Sequence, residues 1–226
     1  MKLLFLLATA MLASAQPARF DYKVRELYFS AFAGNREALA KAMAITESTL
    51  AENPNHAEAL VWHGGGLFFQ SGDRFRAGDR AGAMAMMQKG AGMMDRAVEL
   101  APASIAVRIP RGSVYMAGAR SMPPLMARPL LEKALADFET AWALQKGDLT
   151  RFSLHSIGEL WFGIADSHAR LGRMDRAAEF FTLLKEKLPD TPWSAKAEKW
   201  FAEGRLDAKD AMCSGCHLGS QKAFQN

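Results

Sequence analysis

The chain has 226 residues, of which 50% are apolar and 23% are charged, and its formal charge at pH 7 is +4. This length and apolar content are sufficient for the core of one domain or of one array of repeats. The weak basic excess gives no support for a nucleic-acid-binding protein, because such proteins concentrate positive charge on one face.

The first fifteen residues have the three parts of a secretory signal peptide. Met1-Lys2 is followed by an apolar run over residues 3–12 and by Ala-Ser-Ala at 13–15, a small-x-small cleavage site. We therefore expect cleavage after Ala15 and a periplasmic or secreted bacterial protein. No membrane span is expected in the mature chain, because no later apolar run approaches the length that a bilayer requires.

From residue 21 onward the sequence pattern predicts α-helices. Apolar positions recur at spacings of three and four, residues that favour helices dominate, and clusters of β-branched residues are missing. Glycine, proline, asparagine and aspartate divide the pattern into segments. We predict an all-α fold with helices at 21–33, 35–52, 56–71, 79–100, 103–118, 127–145, 152–171, 174–188 and 191–204.

Segment 158–189 carries bulky, small and proline residues in a characteristic order. They are Trp161, Ile164, Ala165, Ala177, Phe181 and Pro189. In this order the segment resembles one unit of the tetratricopeptide repeat (TPR) family, with His168 where the family has an aromatic residue. In such units small residues let paired helices approach, bulky residues fill the seam and proline ends the unit.

Earlier segments resemble the same family less closely. Pro54 and Pro102 each end a helix, and Gly64, Gly112 and Tyr115 then fall on small and aromatic positions. About 14 extra residues near 70–84 and about ten near 117–127 interrupt these units. The resemblance implies a helical-hairpin superhelix of about four helix pairs plus a C-terminal helix over residues 16–204. It also implies a concave face that binds a peptide or a protein segment.

A stretch without acidic residues, 100–131, contains four arginines. They are Arg108, Arg111, Arg120 and Arg128. With no carboxylate nearby in sequence, their donors would remain available for an acidic protein partner or for the carboxylates of a bound cofactor. A solvated basic face without a partner is the alternative. Arg108 and Arg111 would share a helix face, although Pro110 interrupts the helical pattern between them.

Two other patterns are better explained by packing than by chemistry. Five methionines between 84 and 94 could bind copper or haem iron, but their spacing of seven is typical of a buried helix face. The sequence His63-Gly64-Gly65-Gly66 matches the oxyanion loop of lipases, yet the chain lacks the required G-x-S-x-G motif and a strand-rich sheet. We expect the glycines to allow close helix packing.

The two cysteines of the chain stand three residues apart in Cys213-Ser214-Gly215-Cys216-His217. A C-x-x-C-H sequence attaches c-type haem, because two thiols bond to the vinyl groups and the histidine ligates the iron. We therefore expect Cys213 and Cys216 to hold one covalent haem c, with His217 as the axial ligand, in a tail over residues 205–226. The export signal agrees, because c-type cytochromes acquire haem on that side of the membrane.

Other uses of the two cysteines stay open. A thioredoxin-type C-x-x-C follows a strand, and no strand pattern precedes Cys213. A zinc site would need a further ligand, which His155 or His168 would have to supply. An incidental disulfide in the tail is a third possibility.

A second fold also stays open. Cytochromes of the c-prime type carry C-x-x-C-H near the end of a four-helix bundle, and the last four predicted helices, 127–204, would make such a bundle. The repeat-type residues between 161 and 189 would then be a coincidence, and five more helices would need another place.

These observations favour an exported electron-transfer protein that docks a protein partner and is not an enzyme beyond redox turnover at the haem. The alternative is an interaction scaffold without haem, or an assembly factor for cytochromes. In that case the two cysteines of the C-x-x-C would form a redox-active disulfide or bind a metal.

Overall fold

A computed structural model describes residues 19–207 of the chain. Over this range the fold is all-α, without a strand, and a short 3-10 helix precedes α7 at Leu149–Arg151. The predicted signal peptide, 1–15, and the C-x-x-C-H motif, 213–217, lie outside the described residues. The helices are α1 (Asp21–Phe32), α2 (Arg36–Glu52), α3 (Ala57–Arg76), α4 (Arg80–Leu100), α5 (Ile105–Ala119), α6 (Pro124–Gln145), α7 (Leu154–Arg170), α8 (Met174–Lys187) and α9 (Pro192–Glu203).

The predicted helices are all confirmed, and capping residues explain most of their ends. The side chains of Asn35 and Asp79 accept hydrogen bonds from backbone N–H groups in the first turns of α2 and α4. Thr191 forms a reciprocal capping box with Ser194 at the start of α9. At the other end of α9, Gly204 adopts φ 69°, a left-handed conformation that terminates helices and favours glycine.

Helix α3 continues beyond the predicted end at residue 71. The sequence Ser71-Gly72-Asp73 does not break it, because one glycine inside a helix costs only about 1 kcal/mol. The hydroxyl of Ser71 donates to the carbonyl of Phe68 within the same helix. Arg74 and Arg76 in the last turn complement the negative end of the helix dipole. The extra residues near 70–84 therefore mostly lengthen α3 and α4.

The helices are arranged as consecutive hairpins in two layers. Helices α1, α3, α5, α7 and α9 contact one another in this order, and each even-numbered helix packs between two of them. This is an all-α, repeat-like fold. The last four helices do not form a separate bundle of the c-prime kind, because α7 also packs against α5.

One hydrophobic core runs through the described residues from Phe20 to Leu206. Five of the six repeat-type residues lie in the hairpin of α7 and α8 and are buried, namely Trp161, Ile164, Ala165, Ala177 and Phe181, and both alanines are completely inaccessible to solvent. The sixth, Pro189, follows α8 and is exposed. Leu206 is also buried, so the scaffold extends about two residues beyond the predicted boundary at 204.

Gly64 of α3 marks a close approach between α3 and α4, whereas Gly65 faces Val114 of α5 and Gly66 faces Met43 of α2. A Cβ atom at Gly64 would lie 2.6 Å from the carbonyl oxygen of Gly90, and one at Gly90 would lie 2.5 Å from that of Gly64. The two backbones thus touch where neither residue has a side chain. The expectation that these glycines serve helix packing is confirmed, and Met94 is fully buried at the same contact.

Candidate functional site

A buried ion-pair network joins α5 to α6. The guanidinium of Arg111 donates from Nε and Nη2 to the two carboxylate oxygens of Asp137, each over 2.7 Å. Arg108 Nη1 donates to the same carboxylate over 2.8 Å. Asp137 has no exposed surface, and the side chain of Arg111 is only 10% exposed. Charge-assisted, bidentate bonds of this kind are the strong ones, so this network fixes the two helices against each other.

The same network reaches α4 through Asp95. Its Oδ1 accepts from Arg111 Nη1 over 2.9 Å and from the hydroxyl of Tyr115 over 2.8 Å, and its Oδ2 accepts from Lys133. Burial alone would raise the pKa of Asp95, but these hydrogen bonds and charges lower it below its ordinary value. Burial and the Asp95 carboxylate raise the pKa of Tyr115, so the phenol stays protonated and donates.

A second buried carboxylate joins α5 to α7. Arg120, the residue after α5, donates from Nη2 to Asp166 over 2.8 Å. Arg170 Nε donates to the other oxygen of Asp166 over 2.9 Å, and Arg170 Nη2 donates to the backbone carbonyl of Leu206 over 3.3 Å. The ends of α5, α7 and α9 are therefore held together through one carboxylate and one carbonyl.

The premise that the four arginines lack carboxylate partners is wrong. Arg108, Arg111 and Arg120 are largely buried and paired with acids of other helices. Arg128 is 63% exposed, and its Nη2 lies 3.8 Å from Glu132. The four residues do not form an exposed, unpaired surface, and the partner-binding role expected of them loses that support.

The acidic partners were missed because they follow far along the chain. Asp137 and Asp166 lie 26 and 46 residues beyond Arg111 and Arg120. One sequence signal could have indicated these two aspartates. Each interrupts a helical segment whose other residues are small or apolar, 134–138 for Asp137 and 163–167 for Asp166. An acid on an apolar helix face is typically buried with a partner.

The chain leaves the described scaffold at one edge, which we call the tail edge. It consists of the turn 171–173 between α7 and α8, of Met174 and of residues 201–207. Leu206 is anchored there by its buried side chain and by the hydrogen bond from Arg170.

The tail edge exposes large apolar side chains. Met174, the first residue of α8, is 44% exposed, and Phe201 in the last turn of α9 is 46% exposed. The ring of Phe201 lies 5.1 Å from that of Trp200 and 6.5 Å from that of Phe181, counted between centroids. One side of Phe201 thus continues the core and the other faces solvent.

The histidines considered as zinc ligands lie at opposite ends of α7. His155 and His168 are 13 residues apart, a separation of about 20 Å along a helix. One zinc ion binds its ligands at about 2 Å, so the two imidazoles cannot share one site. His168 is also only 3% exposed. Within residues 19–207, no group of three or more His, Cys, Asp or Glu side chains is placed to hold a metal.

His168 occupies an apolar site with little hydrogen bonding. Its Nε2 lies 3.3 Å from Glu139 Oε1, but neither ring nitrogen makes a well-aligned hydrogen bond among the described residues. Burial lowers the pKa of His168. Glu139 opposes this shift, whereas the charges of Arg176 and Arg173 add to it. The folded protein therefore favours the neutral ring.

We expect this ring to make stability depend on pH. Because the folded-state pKa lies below the unfolded value of 6.5, the unfolded chain binds the proton more readily, and stability falls as pH drops below about 6.5. His168→Phe, which places an apolar ring beside Phe180, should raise stability by about 1 kcal/mol at pH 7.5 and reduce the loss toward pH 5. Urea unfolding at both values tests this. An equal pH dependence in both proteins would contradict it.

A shallow apolar groove of about 370 Å³ lies at the other end of the last hairpins. It is formed by the end of α6, the 3-10 helix, the start of α7 and the end of α8. Its lining includes Trp142, Leu149, Leu154, Ile157, Trp161 and Leu183. Apolar grooves of this kind accept ligand or peptide side chains.

The chain was also compared with known proteins. No protein-family model, no curated protein and no solved structure matches it. Among the helices of residues 19–207, none is both long and apolar enough to cross a lipid bilayer.

Proposed function

We propose that this protein is an exported carrier of one covalent c-type haem that transfers electrons to a docked protein partner. In this proposal Cys213 and Cys216 bind the haem and His217 is an axial ligand of its iron. The hairpins of residues 19–207 are a scaffold of the tetratricopeptide type, and the signal peptide directs the chain to the periplasm or the exterior.

The observation that carries the proposal is the pentapeptide Cys213-Ser214-Gly215-Cys216-His217. Two thiols and an imidazole at this spacing are the donor set that c-type haem requires, and the chain contains no other cysteine. A competing zinc site in the tail would need one further ligand, and His168 is only 3% exposed, which leaves His155 as the histidine of α7 that could supply it.

In this proposal the scaffold anchors the chain at Leu206, before the haem motif, and presents a surface to the partner. Bound haem supplies a one-electron redox centre. The protein positions the haem and docks a partner. The buried pairs of Asp137 and Asp166 make α5, α6 and α7 rigid, and Arg170 fixes the point from which the tail departs. The apolar groove beside Trp161 is a surface that suits a protein segment.

Covalent haem is directly measurable. The protein should be exported from a host that has the haem-attachment machinery, and its intact mass should equal the chain from Gln16 plus one haem. The colour should remain with the protein after extraction with acid and acetone, because thioether bonds survive conditions that break iron ligation. Cys213→Ser with Cys216→Ser should give a colourless protein with the same helical circular dichroism.

The result that would refute the proposal is a wild-type mass equal to that of the bare chain. A His217→Ala variant adds a second check, because loss of the imidazole should alter the Soret absorption of any haem that is attached.

The second candidate is an interaction scaffold without haem, including an assembly factor for cytochromes. The apolar groove of about 370 Å³ supports it equally, because a binding function uses such a surface whether or not haem is present. Its C-x-x-C would then be a disulfide or a metal staple. Thiol titration and metal analysis of the exported, colourless protein would identify which of the two is present.

A further inference from the structure

The end of the scaffold that forms the apolar groove also concentrates cations without ion-pair partners. Lys146 lies at the end of α6, Arg151 lies in the 3-10 helix, and Lys185 and Lys187 lie in the last turn of α8. All four side chains are exposed, and none forms an ion pair with a described residue. Most other exposed arginines and lysines of residues 19–207 do pair with a carboxylate.

Nearby negative charges do not cancel this positive charge. Asp148 and Glu186 are exposed acids in the same segments, and Asp148 already caps the 3-10 helix by accepting from Thr150. The ends of α6 and α8 each add about half a negative charge, which the positive start of α7 partly offsets. The net charge around the groove therefore remains positive. This surface differs from the four arginines expected from the sequence, because its cations are exposed and unpaired.

The cations flank the apolar lining of the groove. Lys187 forms part of the lining itself. Arg151 and Lys146 follow lining residues of the 3-10 helix and of α6 by two and four positions in the chain. The inner lining of α7 is buried, whereas Leu154 at the start of α7 is 63% exposed. A segment bound here would therefore bury apolar side chains and place its polar groups beside lysine and arginine.

We infer that the groove binds an acidic segment of a partner protein, whose bulky apolar side chains enter the groove and whose carboxylates contact Lys187, Arg151 and Lys146. The inference rests on the docking part of the proposed function, because it names the chemistry of the docked partner. Burial of Leu154 and of the bound apolar side chains supplies affinity. The cations attract an acidic partner and select against a basic one.

Two other occupants fit the groove less well. Residues 208–226 contain two lysines and one aspartate, so like charges oppose binding of this chain's own tail. The tail also leaves the scaffold beside Arg170, and Ile157 of the groove lies about 20 Å from Arg170 along α7. A bilayer surface is flat and cannot fill a groove whose inner residues, such as Trp161, are buried.

Synthetic peptides test the inference on the full, exported protein. One labelled peptide combines leucine and phenylalanine with glutamate, a second replaces each glutamate with lysine, and a third replaces each apolar residue with serine. Fluorescence anisotropy should show the first peptide bound about tenfold more tightly than the other two at low salt. Its advantage over the lysine peptide should shrink as added salt screens the charges.

Variants separate the cations from the apolar lining. Arg151→Glu with Lys187→Glu should weaken binding of the glutamate peptide by about tenfold and strengthen binding of the lysine peptide. Lys89→Glu is the matched control, since it reverses another exposed lysine without an ion pair, on α4, and it should change neither affinity. Leu154→Ser should weaken binding of both apolar peptides alike, because it removes apolar contact and no charge. Urea unfolding of each variant verifies that the scaffold is intact.

Several results would overturn the inference. They are equal affinity for the glutamate and lysine peptides, no binding of either, and binding that the groove variants leave unchanged. Sedimentation with phosphatidylglycerol vesicles that the double charge reversal abolishes would assign the surface to a membrane, and a dimer that it dissociates would assign the surface to a second copy. Covalent haem without peptide binding leaves the haem proposal standing. Peptide binding by a colourless wild-type chain refutes that proposal and retains this inference.

Discussion

Asp137→Ala is expected to destabilise the protein by about 3–5 kcal/mol, the cost typical of removing one partner from a buried ion pair. Asp137 is completely buried and accepts three hydrogen bonds from Arg108 and Arg111. Its removal leaves the largely buried guanidinium of Arg111 with Asp95 as its remaining carboxylate partner among the described residues. Urea unfolding monitored by circular dichroism measures the change in the free energy of unfolding.

Two control variants separate burial from charge pairing. Glu99→Ala removes an acid from an exposed pair with Arg96 on α4 and should change stability by less than about 1 kcal/mol. The double variant Arg111→Met with Asp137→Leu should be more stable than Asp137→Ala, because it removes the buried guanidinium together with the carboxylate that binds it. A loss below about 1 kcal/mol in Asp137→Ala would mean that water or Asp95 compensates for the missing carboxylate.

The helices were predictable because their signals are local. Apolar spacing and punctuation identified each of them in residues 19–207, and caps such as Asn35 and Thr191 explain why their ends were close to the structure. The end of α3 was not predictable in this way. Whether Ser71-Gly72-Asp73 breaks a helix depends on the packing of the flanking residues, and packing can override a cost of about 1 kcal/mol.

The candidate site was predictable only in part, because its contacts are not local. An acid-free stretch says nothing about acids that fold against it, and Asp137 and Asp166 approach the arginines from α6 and α7. The anchoring of Leu206 by Arg170 joins residues 36 apart and has no sequence signature. The haem motif differs from these contacts because its five residues are adjacent in sequence. Its assignment stays a prediction, which the mass measurement tests.

The contact between α3 and α4 predicts opposite changes in stability when two glycines of α4 are each replaced by alanine. Gly90→Ala places a Cβ atom 2.5 Å from the carbonyl oxygen of Gly64 and 2.9 Å from the nitrogen of Phe68. Both are backbone atoms, so the helices must separate and lose packing along their length. We expect a loss of about 1–3 kcal/mol, as for other overpacked sites.

Gly92→Ala is the matched control, because it makes the same change two residues later in α4. Gly92 is exposed, and a Cβ atom there meets nothing within 4 Å. The substitution should therefore stabilise the protein by about 0.5–1 kcal/mol, since alanine loses less backbone entropy than glycine when a helix forms. Helix propensity favours alanine equally at both positions, so the difference between the two free energies of unfolding isolates the steric cost of the close contact. If both variants gained stability equally, α3 and α4 would not approach each other at Gly64 and Gly90, and the glycines would need another explanation.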